Sequence, residues 1–330
     1  LYMAAKALSL PGVIGDNMIL QQNSNALLWG WANPGTTVKV ETKWDGMTYY
    51  SKAAKPDGRW ELKVATPEAS YEPVSIEIKG DGQSVLLKNI LIGEVWFASG
   101  QSNMEMPLQG LPGTPTDGAN DAIATAAKNK GKIRLYSAPR VYFAEPQKNT
   151  EGKWEETTPE SVAAFSAIGY FFAEKLQQII DVPVGIINCS YGGTCVEAWI
   201  PREIVETYPD IDLSVVGKTG KPELNQYTAM YNGMLYPLAG YTVKGFLWNQ
   251  GESNVGRHDT YAERLSQMVK HWRGLWKNDS LPIYMVEIPP FHYPDSFNGT
   301  SGALLREAQL KSLDLIPNSG IISSTDLQAP

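Results

Sequence analysis

Three short runs hold the residues whose types and spacing could do chemistry. Ser102 stands in Gly100-Gln101-Ser102-Asn103-Met104, directly behind the apolar segment Ile90 to Ala98. A small hydroxyl residue after a strand and a glycine is how α/β enzymes present a nucleophile, at the carboxyl end of the strand. The same residues also suit a turn that caps the next helix. Val184 to Asn188 runs into Cys189-Ser190-Tyr191-Gly192-Gly193-Thr194. Adjacent glycines leave bare backbone N–H groups that a ligand can approach, though glycine is also the default residue of a tight strand-to-helix turn. Phe246 to Gln250 runs into Gly251-Glu252-Ser253-Asn254, so the Gln250 amide stands at a strand's last position, either as a donor or as a polar residue leaving the sheet. A hydroxyl, a bare backbone and a side-chain amide together suit acyl transfer. Its tetrahedral intermediate carries negative charge on the former carbonyl oxygen, and donors must meet that charge.

Elements must hold these three runs together. Leu91 to Ala98 shows no polar alternation and reads as a strand buried on both faces. Up to residue 92, short alternating segments (Ala26–Trp31, Thr37–Thr42, Thr48–Ala53, Trp60–Val64, Val74–Ile78, Ser84–Leu87) are separated by Gly, Pro, Asn and Asp turn signals. That spacing predicts an N-terminal β-sandwich over residues 1–92. From 93 to 330 strands alternate with helical stripes, which predicts an α/β unit, a parallel sheet flanked by helices. One stripe spans Val162 to Ile179; a second runs from Tyr261 to Trp276 behind a capping box at Thr260–Glu263; a third covers Gly302 to Leu313. The Pro/Gly/Thr-rich stretch Gly110 to Gly118 reads as a long loop near enough to Ser102 to shape a pocket.

Composition narrows the classes. The 330 residues are 43% apolar and 19% charged, a globular balance with room for two domains. A net charge of -7, with no basic block, argues against nucleic acid and anionic membranes as partners. No run approaches a membrane span in length. The mildly apolar Leu1 to Leu8 suits the remnant of an export signal. Cys189 and Cys195 are the only cysteines, too few for a disulfide scaffold and without the partners of a zinc site. Both read as buried thiols in preference to a local disulfide.

The run Gly93 to Met104, with Ser190-Tyr191-Gly192-Gly193-Thr194 and Trp248-Asn249-Gln250-Gly251-Glu252-Ser253-Asn254, resembles the sialate O-acetylesterases, carbohydrate esterases of the SGNH hydrolase superfamily. The likeness extends to Asp16–Gln22, Trp29–Ala32, Trp272-Arg273 and Leu305–Gln309, and so covers nearly the whole chain. It implies an SGNH-type sheet behind the β-sandwich, Ser102 as nucleophile, and an oxyanion hole of Ser102 N–H, Gly193 N–H and the Gln250 amide. Gly192 is the alternative backbone donor. Glu252 and Asn254 then hold the loop and the Gln250 amide in place. No metal or cofactor is implied, and the partner is an O-acetylated carbohydrate.

The resemblance also requires an Asp-x-x-His pair in a late loop, and here the chain departs. It has three histidines: His258, His271 and His292. None has an acidic residue three positions earlier, and His292, following a strand, is the best placed of them. The expectation is that the catalytic His and Asp lie past Pro330, with Asp326 a strand-end residue and not the triad acid. An acidic protein binding a sialic acid needs local cations for the substrate carboxylate. Arg202 and Arg257 stand near the proposed loops, with surface solubility as their other reading. Acetylated xylan or another hemicellulose is the rival substrate within the same reaction class. A glycan-binding protein with an inert esterase unit is the rival of a different class. The resemblance implies a periplasmic or extracellular location.

Overall fold

The computed structural model describes residues 8–54, 56–215, 227–293 and 299–327. Its front half is built of β1 (Ile19–Gln21), β2 (Asn25–Trp31), β3 (Thr37–Thr42), β4 (Thr48–Lys52), β5 (Arg59–Ala65), β6 (Ser70–Gly80) and β7 (Gln83–Gly100). β2 pairs with β5 in a two-stranded antiparallel sheet, while β3 pairs with β4 and β6, and β6 pairs with the first half of β7. Alternating burial along β3 and β5 turns Val38, Val40, Trp60 and Val64 inward between the two layers.

The second half contains α1 (Ser102–Glu105), α2 (Ala119–Thr125), β8 (Ile133–Ser137), β9 (Trp154–Glu156), α3 (Pro159–Ala164), α4 (Ala167–Ile180), β10 (Val184–Ser190), α5 (Arg202–Val205), β11 (Gly245–Asn249), α6 (His258–Leu275), β12 (Ile283–Val286), α7 (Ser301–Leu315) and β13 (Ser319–Ile322). The strand order is β13-β12-β11-β7-β10-β8-β9, parallel except for β9 at one edge. Both faces of this sheet are covered, as a parallel sheet requires. On one face Phe97 and Phe246 pack against Trp272 and Trp276, with ring centroids 5.1–6.2 Å apart. On the other, Trp96 meets Phe172 of α4 at 5.3 Å.

β7 is the axis of the molecule. It runs unbroken from Gln83 to Gly100, so residue 92 falls inside a strand that serves both halves. Every residue from Ile90 to Gly100 is buried, which accounts for the run's missing polar alternation. The buried Arg134 of β8 reinforces the junction, donating to Asn17 O at 2.8 Å and Asn89 O at 2.7 Å. Among the described residues, no helix is long and apolar enough to cross a membrane.

Two local expectations are corrected. The stripe from Val162 to Ile179 is two helices, not one. Phe165 is extended, and Ser166 caps α4 by accepting from Gly169 N–H at 3.1 Å. The Ser166 hydroxyl also donates to Met104 O at 2.6 Å, which docks the start of α4 beneath α1. The capping box at Thr260–Glu263 is not formed. α6 starts earlier, at His258, and the Thr260 hydroxyl turns back to Arg257 O at 3.4 Å.

Gly100 shows why the central strand ends where it does. Its φ is +145°, and a Cβ there would lie 2.0 Å from Asn249 O. Gly100→Ala is therefore expected to destabilise the fold by about 3 kcal/mol, from strain and overpacking together. A urea titration measures it; a loss below about 1 kcal/mol would mean the two strand ends are free to separate.

Candidate active site

The register brings the three runs to one edge. Ser190 of β10 and Asn249 of β11 each pair with Gly100 of β7, so the three loops leave the sheet level with one another. Ser102 opens α1 two residues past the strand and is exposed, on the wall of a cleft of about 320 Å³. Among the described residues nothing accepts the Ser102 hydroxyl proton, and neither its N–H nor that of Gly193 has an acceptor.

The Gly-Gly loop lies against the serine. A Cβ on Gly192 would sit 3.6 Å from the Ser102 Cβ. The Gly192 N–H donates to Glu105 Oε2, whose other oxygen pairs with Arg140. The Gly192 N–H, the alternative donor, is therefore committed to Glu105 in this structure. Gly193 is exposed with φ +75°, a left-handed conformation that glycine adopts freely, and a Cβ there would meet nothing within 4 Å.

Gln250 departs from its expected part. It is fully buried, and its amide donates to Thr194 O at 3.1 Å and Asn254 Oδ1 at 2.7 Å. The Tyr261 hydroxyl donates to its oxygen at 2.9 Å. With both amide hydrogens placed inside the protein, Gln250 braces the Gly192–Thr194 loop and presents no donor to Ser102.

Asn254 Oδ1 accepts from the Gln250 amide and also from Val196 N–H at 2.9 Å. Glu252 accepts from Asn103, the neighbour of Ser102, and burial raises its carboxyl above the usual range. Gln101 joins the same two loops. Its side-chain oxygen accepts from Gly251 and Ser253 N–H, both at 3.2 Å. Beneath them lies the fully buried Glu197, which accepts from Arg264 at 2.7 Å, Asn254 at 3.1 Å and Arg257 at 3.2 Å.

Gln101, Glu105, Arg140 and Glu197 are additions to the sequence reading. Glu105 stands one helical turn from Ser102, a spacing that signals a shared face. Arg140 and Glu197 give no such signal. No histidine lines the cleft among the described residues. His271 is half-buried against the Tyr231 hydroxyl at 2.8 Å, and its pKa is lowered by burial. His258 pairs with Asp259 at 3.1 Å, and His292 lies on a separate surface with Tyr293 and Arg306. Arg257 is turned inward to Glu197, and Arg202 is exposed on α5, outside the cleft lining. Asp326 lies in a turn past β13. Cys189 and Cys195 are free thiols, buried and half-buried. Among the described residues no group of three or more His, Cys, Asp or Glu is arranged to hold a metal.

An open parallel sheet, with three loops gathered at its carboxyl edge and a serine on the first, defines an α/β fold of the SGNH-like kind. The chain belongs to the carbohydrate esterase, sialic acid-specific acetylesterase family, whose sequence model matches residues 92–330. Human sialate O-acetylesterase is 25% identical over 296 residues, covering 79% of this chain and 52% of its own. The Pongo abelii sialate O-acetylesterase is 26% identical over 302 residues, with the same coverage of 79% and 52%. The crystal structure of a carbohydrate acetylesterase from Xanthomonas citri aligns with a TM-score of 0.85 at 31% identity, over 98% of this chain and 70% of that one. The chain spans about half the length of the curated relatives it matches.

Glu197 supplies the test of the frame. Burial works to raise its pKa, but Arg257, Arg264 and Asn254 outweigh it and leave it lowered. A lowered carboxyl stabilises the fold at neutral pH, and that share is lost as pH falls below the ordinary carboxylate range. Glu197→Ala strands buried guanidinium charge and is expected to cost about 3–5 kcal/mol at pH 7 by urea unfolding. The gap from the parent should narrow on acidification; a gap independent of pH would show that the Glu197 charge is not what holds the loops.

Proposed function

We propose that the protein is a serine esterase that removes O-acetyl groups from sialic acid or a related acetylated glycan through an acyl-enzyme. The observation that carries this reading is the exposed Ser102 hydroxyl on the wall of the cleft, with the Gly192–Gly193 turn packed against it at Gly192; among the described residues the N–H groups of Ser102 and Gly193 have no acceptor. In this mechanism Ser102 Oγ attacks the acetyl carbonyl carbon while a histidine takes its proton. The two backbone N–H groups meet the charge on the carbonyl oxygen. The sugar oxygen leaves with the proton, and water then adds to the acyl-serine and releases acetate.

Gln250 acts in this scheme through the Gly192–Thr194 loop that it braces, not as a third donor. The scheme assigns the proton acceptor and its acid to residues past Pro330, because His258, His271 and His292 all lie away from the cleft lining. The family description and the sialate O-acetylesterase relatives favour acetylated sialic acid as substrate. The location that suits such a substrate is the periplasm or the cell exterior.

Ser102→Ala, in a chain carried past Pro330, is expected to abolish acetate release from p-nitrophenyl acetate and from O-acetylated sialic acid. Turnover near the parent's would eliminate this nucleophile. If the parent itself releases no acetate from either, glycan binding without catalysis becomes the better description. Glu105→Ala frees the Gly192 N–H that positions the loop and is expected to lower kcat about 10²-fold, since small misplacements of catalytic groups cost that much. Steady-state kinetics on p-nitrophenyl acetate checks this; a kcat within a factor of three of the parent's would show that the loop keeps its place without Glu105.

A further inference from the structure

The Glu105–Arg140 pair is lopsided in a way that bears on the substrate. Among the described residues lining the Ser102 cleft, Arg140 is the one cation and Glu105 the one anion. Both Glu105 oxygens are committed, one to Arg140 Nη1 and one to Gly192 N–H. Among the described residues Arg140 commits only Nη1, and its side chain is 60% exposed against 24% for Glu105. The anion is saturated and partly covered; the cation keeps a free edge. That edge is the planar fork which matches a carboxylate with two parallel hydrogen bonds. The remaining polar lining, Gln109, Ser137, Asn188 and Ser190, is uncharged. In a protein of net charge -7, an incoming acid therefore meets one cation within the cleft, beside the serine.

Resting on the esterase reading above, we propose that Arg140 is the specificity-determining residue that binds the carboxylate of an acidic sugar and so separates acetylated sialic acid from neutral acetylated glycans. Glu105 has two parts in this arrangement. It fixes one corner of the Arg140 guanidinium in the cleft, and it marks where an oxyanion already lies against that group. Arg257 and Arg202, the cations that stand near the same loops in the chain, are not among the cleft-lining residues.

The test compares two ligands that differ only in that charge. N-acetylneuraminic acid and its methyl ester are titrated into the parent protein and into Arg140→Ala and Arg140→Lys by calorimetry at pH 7. The parent should bind the acid about tenfold more tightly than the ester, the size of effect a charge-assisted bidentate contact supplies. Arg140→Ala should bring the two within about twofold of each other. Arg140→Lys should fall between, because it keeps the charge and loses the fork. A general loosening of the cleft would weaken both ligands alike and leave their ratio unchanged. A parent that does not prefer the acid, or a preference that survives in Arg140→Ala, overturns the proposal. The measurement needs no turnover, so absent acetate release from p-nitrophenyl acetate would count against the esterase reading alone.

Discussion

The level ending of three parallel strands is the constraint on which the rest of this structure depends. β7, β10 and β11 are registered so that Gly100 faces Ser190 on one side and Asn249 on the other. The approach of Gly100 to Asn249 O admits no side chain at that point. Because the three strands stop together, the serine turn, the Gly-Gly turn and the Gln250 turn emerge side by side. A slip of one residue in a parallel strand would turn its side chains to the opposite face and carry its loop off the edge. Burial of β7 on both faces, by Phe97 on one side and Trp96 on the other, makes that slip prohibitively costly.

Loops gathered in this way still need fixing, and the protein does it with buried polar groups. Gln101 reaches from the serine turn to the backbone of the Gln250 turn. Gln250 reaches from there to Thr194, and Asn254 ties both to Val196 and Glu197. Each of these groups would be expensive to bury alone, and each finds partners in another loop. The cost of burying Glu197 is offset by two guanidinium groups, one of them on α6. The loops are tied to one another by these buried polar groups.

Much of this was legible in the sequence, and the exceptions have a common cause. The unalternating run before Ser102 marks a doubly covered strand, and the Gly/Pro-punctuated short strands mark a β-rich front. The stripe from Val162 to Ile179 keeps its apolar period across Phe165, so periodicity alone does not reveal that Ser166 stops one helix and caps the next. Gln250 has the right residue type and position for an oxyanion donor; Thr194, Asn254 and Tyr261, which claim its amide, come together only through the fold. Arg140 is 35 residues from Glu105, and nothing in its flanks signals the pairing. Arg257 reads as a free cation near a loop because the acid it turns toward is 60 residues earlier. Local pattern carries elements and strand ends; it does not carry the allocation of hydrogen bonds between them.

The continuity of β7 has a consequence for how such a protein can be inherited. One strand hydrogen-bonds to the front sheet along its first half and delivers the serine at its far end. A β-rich unit joined by a linker can be lost, duplicated or exchanged between genes without touching the chemistry. Here no cut falls between elements, so any exchange must rebuild the interior of the central strand. The front sheet is thereby part of the serine's foundation, because a change that disturbs its pairing acts on the same strand that ends at Gly100.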